Sequence, residues 1–312
     1  MTSDIPFRTL APWLRATFGR PVHRVALDAG SDCPNRDGTK GFGGCTYCDV
    51  EGSGTGALRS GLELHAQLER GIERVKRRGA DVGVIVYFQS FSNTYGDPRR
   101  LDEMLAALEP FLERGEVEVV SVATRPDCLP DEALGRLERL ATRVPVWVEL
   151  GLEAADDAVL AQVNRLHTVA EFHAAAARVR SAGLGCVGHA ILGLPSDGRG
   201  GARRTAEALA RSAADGVKVH HLMVLRRTQL AAQWKRGEVE PLDIDEYVDW
   251  LADFVERLRP DQVLHRLTGD APADALLAPR WDVGKEEVRR RLAAELERRG
   301  TRQGSRCGQV RT

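Results

Sequence analysis

Between residues 20 and 235, short β-branched runs alternate with longer amphipathic segments, and this rhythm limits the fold more than any other feature. The strand candidates are HRVALDA (23–29), DVGVIVYFQS (81–90), VEVVSVAT (117–124), VPVWVELGLE (144–153), LGCVGHAILGLP (184–195) and GVKVHHLMVL (216–225). Helical spacing of apolar residues marks 61–79, 100–114, 130–141, 168–182 and 201–215. Strands separated by helices of this length make βα units with a mostly parallel sheet. Six such units predict an α/β fold of the partial, open TIM-barrel type. Polar residues collect where the strands end: Gln89 and Ser90, Thr124 and Arg125, Glu149 and Glu153, His220 and His221. In barrel-type α/β folds that rim carries the site.

The organisation expected is an N-terminal extension (1–20), a (β/α)6 core (21–236), a C-terminal extension packed on the core (237–300) and a polar, frayed tail (301–312). The extension holds a helix at 245–259, a strand-like run at 261–267 and a final charged helix. A net charge of -1 means that any nucleic-acid footprint is local. The arginine-rich stretches ERVKRRGA (73–80) and EEVRRRLAAELERRGTRQGSR (286–306) mix both signs and read as solvated helix faces. No apolar run is long enough to span a bilayer, and the N-terminal stretch has no secretory h-region. A cytoplasmic setting is expected.

Three of the six cysteines fall in CPNRDGTKGFGGCTYC (33–48). Cys45 and Cys48 have C-x2-C spacing, with Cys33 upstream. A redox C-x-x-C needs no third cysteine. A structural zinc site wants four ligands, and His65 is a fourth only if it comes close in space. Three thiolates also fit a [4Fe–4S] cluster with one iron left open for a cofactor. The glycines between them give the backbone freedom to approach a bulky group. Cys128, Cys186 and Cys307 stand alone and read as small buried hydrophobes or incidental thiols.

With that motif directly after the first strand, the sequence resembles the radical S-adenosylmethionine (SAM) superfamily, in the branch that shares its core with the Elongator catalytic subunit. FQSFSNTYG (88–96), ATRPDCL (123–129), ELGLE (149–153), NRLHT (164–168), GHAILGLP (188–195), KVHHLMVLRRTQLA (218–231) and LHRLTGDAP (264–272) are similar to a compact bacterial subfamily of it. The resemblance implies one [4Fe–4S] cluster per chain on Cys33, Cys45 and Cys48, with SAM on the fourth iron. It implies reductive cleavage of SAM to a 5'-deoxyadenosyl radical that abstracts a substrate hydrogen, fed by a low-potential electron donor. Gln89 and Ser90 are then candidates for the SAM ammonium, with Asn93 and Thr94 nearby, and Arg165 for its carboxylate. Glu149 and Glu153 are expected to pair with Arg125, Arg165 or the cofactor. Gly193 shapes the turn where adenosine packs. Ser196 and Asp197 stand where the subfamily usually has a Gly-Glu pair.

Lys218 and His220 alternate onto one face of the sixth strand and are expected to line the interior. His265, Arg266 and Asp270 are further substrate candidates, and Asp270 doubles as a possible cap for a helix beginning near Pro272. The branch implies tRNA as partner and its wobble uridine as substrate, converting a carboxymethylaminomethyl side chain to aminomethyl. The alternatives are a radical enzyme acting on a metabolite or protein, and a non-catalytic metal-stabilised scaffold. No second C-x3-C-x2-C cluster is present, which disfavours sulfur insertion.

Overall fold

The computed structural model describes residues 5–49, 57–58, 61–79 and 81–308. Its strands are β1 (Val22–Leu27), β2 (Gly83–Phe88), β3 (Val117–Thr124), β4 (Val146–Glu153), β5 (Gly185–Leu192), β6 (Gly216–His221), β7 (Val224–Leu225), β8 (Val263–Arg266) and β9 (Leu276–Ala278). All but β7 and β9 form one parallel sheet in the order β1-β2-β3-β4-β5-β6-β8. It curls into a half-barrel whose edges are β1 and β8. The expected sixth strand, 216–225, is broken after His221, because Val224 and Leu225 turn aside to pair antiparallel with β9.

The helices are α1 (Leu10–Phe18), α2 (Leu64–Lys76), α3 (Pro98–Ala106), α4 (Glu109–Glu113), α5 (Asp131–Ala141), α6 (Asp157–Gln162), α7 (Val169–Ser181), α8 (Gly198–Arg211), α9 (Gln229–Lys235), α10 (Ile244–Arg257) and α11 (Lys285–Arg298). Local chemistry sets several boundaries. Thr168 with Glu171 and Asp243 with Glu246 close capping boxes at α7 and α10. The single helix expected over 100–114 is two, since Pro110 lies in the first turn of a new helix.

The sheet has two differently filled faces. Outward residues such as Val86, Phe88, Val148, Leu150 and Val219 form the main core under the helices. At the bottom of the inward face, Ile85, Val119, Trp147 and Val187 are sealed by Leu14 of α1, and Trp13 lies 5.9 Å from Trp147. The N-terminal extension is therefore a plug. Just before it, Arg8 O accepts from Leu264 N at 2.9 Å, and Thr9 bridges to the β8 edge.

The C-terminal helices pack on α8. Asp253 of α10, 2% exposed, gathers Arg199, Arg203 and Arg299. Other arginines of α11 match the expected solvated face: Arg290 pairs with Glu287 and Arg298 with Glu295 within the helix. The stretch 301–308 is docked rather than frayed, because Gln303 is buried and donates to Arg259 O and Gln262 O, both at 2.7 Å. Residues 309–312 of that tail lie outside the described residues. No described helix is long and apolar enough to cross a membrane.

Leu251 of α10 is fully buried in the same core as the sheet. Leu251→Ala is expected to cost about 2–5 kcal/mol in urea denaturation while leaving one cooperative transition. Two separated transitions would mean that the C-terminal helices fold on their own.

Candidate functional site

The cysteine loop leaves β1 and is held at several points. Gln67 of α2 brackets the strand exit, accepting from Asp28 N at 2.8 Å and donating to Asp28 O at 2.9 Å. Asn35 Nδ2 donates to the carbonyls of Asn164 and Arg165, while Asn164 Nδ2 donates to Gly44 O at 2.7 Å and Phe42 O at 3.1 Å. Thr46 N bonds to Val163 O, and Leu230 N of α9 to Thr46 O. Gly43 and Gly44 are both left-handed, with φ of 77° and 76°. A Cβ at Gly44 would stand 3.0 Å from Arg36 Nε, displacing a side chain whose Nη2 reaches Cys48 Sγ at 3.5 Å.

The thiols sit among donors. Asn35 Nδ2 is 3.7 Å and Arg165 Nη1 3.9 Å from Cys45 Sγ. Burial pushes the Cys33 thiol up, and burial together with the charge of Cys45 pushes Cys48 to about 12. Thiolates here need a cation beside them. Among the described residues, no three His, Cys, Asp or Glu side chains converge on a point that would hold a single ion. The other three cysteines are separate in role: Cys186 is fully buried in the core, Cys128 is buried beside Asp127, and Cys307 lies in the docked C-terminal stretch.

Buried polar atoms without partners collect around this loop and the nearby strand ends. They are Asn35 Oδ1, Ser90 Oγ, Arg125 Nη1, Arg165 Nε and both ring nitrogens of His167. Each costs about 1–3 kcal/mol when left unsatisfied. Glu153, Asn164 and Leu166 hold left-handed backbone, with φ of 67°, 55° and 59°. Strain of this kind concentrates at sites.

The expected residues fall into two groups. Arg165 joins the cysteines, reaching Glu153 at 3.4 Å and Gly151 O at 3.2 Å. Ser90 offers its unpartnered hydroxyl, and the backbone N–H of Gln89 donates to Leu27 O at 3.3 Å. Asn93 is instead consumed by the fold, bridging Ser31 Oγ, Phe88 O, Ser90 O and Ala123 O. Thr94 is likewise spent on Thr124 and the Cys128 carbonyl. At Gly193 a side chain would meet Leu242 at 3.3 Å, so the turn packs on its own fold there.

The second group is a polar layer inside the half-barrel, above the apolar plug. Glu149 is 1% exposed, and Oε1 accepts from Ser121 at 2.6 Å. Its Oε2 meets Lys218 Nζ and lies 2.7 Å from His189 Nε2. Burial alone would push this carboxyl up, but the Lys218 ammonium and the His189 hydrogen bond outweigh it and hold it well below the usual range. The expected pairing with Arg125 or Arg165 holds for Glu153 only, since Arg125 binds Asp127. His220 stacks 5.9 Å from His189. Arg24 and Tyr87 also line this layer, 5.0 Å apart, and Lys218 lies 3.9 Å above the Tyr87 ring. Sequence reading missed both. The signal available was an arginine in a strand whose apolar residues faced the other way.

The distal block divides. His265 packs 4.9 Å from Trp147, and Arg266 lies beside Lys218 in the sheet register. Asp270 caps no helix: residues 273–275 form a turn leading to β9, and its carboxylate pairs with Lys285. Thr268 is held by His221 at 2.8 Å.

A half-barrel with a three-cysteine loop after β1 and an ionisable interior is the architecture of enzymes that do their chemistry with a cluster at the barrel mouth. The family model of the Radical SAM superfamily matches residues 33–209, and that of the Radical_SAM C-terminal domain matches 214–298. The chain belongs to the radical SAM superfamily and is an enzyme of it, related to the Elongator and YtqA-like proteins. It is 38% identical to the uncharacterized protein YtqA of Bacillus subtilis, over 96% of this chain and 92% of that one. It is 28% identical to the tRNA uridine(34) acetyltransferase of Dehalococcoides mccartyi over 57% of this chain, spanning 39% of that larger protein. The archaeal Elp3 of Methanocaldococcus infernus shares the fold, with a TM-score of 0.70 at 18% identity, covering 92% of this chain and 64% of that one. The family typically uses a [4Fe–4S] cluster and SAM.

Burial pushes His265 down to about 3, and its Nδ1 has no partner. Between pH 6.5 and 5 the unfolded chain therefore binds a proton there that the folded chain does not. The favourable balance is complete above pH 6.5 and is lost as pH falls, by up to about 1.4 kcal/mol per pH unit. His265→Leu is expected to flatten the pH dependence of the unfolding free energy by that amount. An unchanged slope would show the folded imidazole already protonated.

Proposed function

We propose that this chain is a radical SAM enzyme that modifies the wobble uridine side chain of tRNA, converting a carboxymethylaminomethyl group to aminomethyl, with hydrogen abstraction beside the amine, loss of one further electron and hydrolysis of the resulting imine by water releasing the two-carbon fragment as glyoxylate. Cys33, Cys45 and Cys48 would hold one [4Fe–4S] cluster, which would draw its electron from an external low-potential donor. When bound, the cluster and SAM supply reductive sulfonium cleavage and hydrogen-atom abstraction. The chain's own residues aim that chemistry. Arg36, Asn35 and Arg165 donate toward the cysteine sulfurs and offset their charge. The unpartnered Nε of Arg165 suits the SAM carboxylate, and Ser90 Oγ, with Gln89, its ammonium.

Glu149 has both oxygens occupied by this chain, so its role is to fix Lys218 and His189 facing the substrate rather than to touch the cofactor. Lys218, His220, Arg266 and the neighbouring His265 line the substrate end, while Asp270 stands apart on Lys285. The similarity to a tRNA uridine(34) enzyme carries the choice of substrate. A metabolite substrate is the second reading, favoured by surface arginines that are already ion-paired, such as Arg136 with Asp102 and Arg143 with Glu109.

Replacing Cys33, Cys45 or Cys48 with serine is expected to remove cluster absorbance, lower bound iron and abolish reductive SAM cleavage after anaerobic reconstitution. Cys307→Ser leaves all three intact. Full activity in Cys48→Ser would overturn the ligand assignment. For the substrate, mass spectrometry of total tRNA nucleosides from the host without this gene is expected to show carboxymethylaminomethyluridine accumulating at the expense of the aminomethyl form. An unchanged profile moves the assignment to a metabolite or protein.

A further inference from the structure

The polar layer contains more cations than it can balance. Among the described residues, Arg24 and Arg266 share the inward face with Lys218 and one carboxylate, Glu149, whose oxygens are taken by Ser121, His189 and Lys218. Nothing comparable neutralises the arginines. Arg24 lies over the Tyr87 ring, and its Nε and Nη2 are buried without a hydrogen bond. Arg266 stands beside Lys218 in the register, and neither arginine is ion-paired among the described residues. The nearby imidazoles add no negative charge: burial pushes His189, His220 and His265 all down, so they are neutral. A buried guanidinium with idle donors is costly unless something docks on it.

Topology gives the two arginines a common place. Arg24 is on β1 and Arg266 on β8, the two edges of the sheet, so they flank the seam where the half-barrel stays open. Both remain partly accessible, whereas Glu149 and Lys218 beside them are each 1% exposed. Strand amides lie in the plane of the sheet and do not point into the barrel. The site therefore lacks the backbone N–H cradle that phosphate groups favour. What it offers is planar guanidinium edges, which match the two oxygens of a carboxylate.

We infer that Arg24 and Arg266 form an oxyanion site at the open seam that receives the terminal carboxylate of the substrate. This rests on the reading of the interior as the substrate chamber of a radical SAM enzyme and deepens it by giving a place on this chain to a free acid of the substrate. The carboxymethylaminomethyl side chain ends in one.

The test is equilibrium binding to the anaerobically reconstituted holoenzyme. The probes are 5-carboxymethylaminomethyluridine, its methyl ester, and N-methylglycine as an acid without a nucleoside. The acid is expected to bind roughly 10–100-fold more tightly than the ester, the size of one or two charge-assisted hydrogen bonds. Arg24→Gln and Arg266→Gln each remove most of that preference without weakening the ester, and Arg24→Lys restores part of it. Arg136→Gln, a surface change, leaves the preference intact. Equal binding of acid and ester, or a preference that survives both glutamine variants, overturns the site. Inorganic phosphate competing as strongly as the acid overturns the carboxylate assignment. Binding of N-methylglycine that depends on Arg24, with no binding of the nucleoside acid, supports the site and refutes the wobble-uridine reading. Nucleoside binding with no acid preference does the reverse.

Discussion

A parallel sheet that curls into a half-barrel leaves an interior that the helices on its outer face do not fill, and this chain divides that space into two floors. The lower floor is apolar: Trp147, Ile85, Val119 and Val187 are sealed by α1. The upper floor is ionic and centres on Glu149, with Lys218 from β6, His189 from β5 and Ser121 from β3. A buried ion pair contributes little net stability, because removing both charges from water costs about what their attraction returns. Removing one partner is another matter, since the survivor is left charged and alone. The arrangement therefore fixes geometry more than it stabilises the fold. Three strands distant in sequence are tied to one carboxylate, and Lys218 is set under the mouth of the barrel.

The cysteine loop poses the opposite problem. Its glycines make it easy to bend and entropically costly to hold. The chain answers with reciprocal amides: Asn35 donates to the 164–165 backbone while Asn164 donates to the 42–44 backbone. The left-handed backbone at Asn164 and Leu166 brackets Arg165 and turns its guanidinium toward Cys45. Strain and idle donors are thus located at one place, where a bound anionic group would return the cost of both.

Much of this was legible in the sequence, for reasons that can be named. Periodicity exposed the βα units, and alternation along VKVHH placed Lys218 and His220 on one face. The cysteine spacing located the loop. What stayed hidden depends on partners far away in the chain. Lys218 and Glu149 are separated by 69 positions, and neither residue announces the other. Asn93 and Thr94 were candidates because they stand beside Gln89 and Ser90 in the loop that the resemblance assigns to the cofactor's amine, yet their hydrogen-bonding capacity is spent on Ala123, Thr124 and Cys128. Pro110 lies inside the single helix expected over 100–114, and the structure places it in the first turn of a second one. The plug role of α1 is a tertiary fact that nothing local encodes.

The two matched family segments meet inside the barrel, and their division is chemical. The first, 33–209, carries the cysteines, Arg165, Glu149 and His189. The second, 214–298, carries Lys218, His220, His265 and Arg266. Glu149 and His189 cross that boundary by contact with Lys218 and His220. The arrangement separates two demands. On the proposed reading, changes at His220 or Arg266 alter what the interior accepts, and neither residue takes part in the Asn35–Asn164 staple that holds the cysteine loop. Changes at Glu149 cannot be so contained, because its carboxylate is shared by both segments. The residue that looks most deeply structural is the one through which the two matched segments touch inside the barrel.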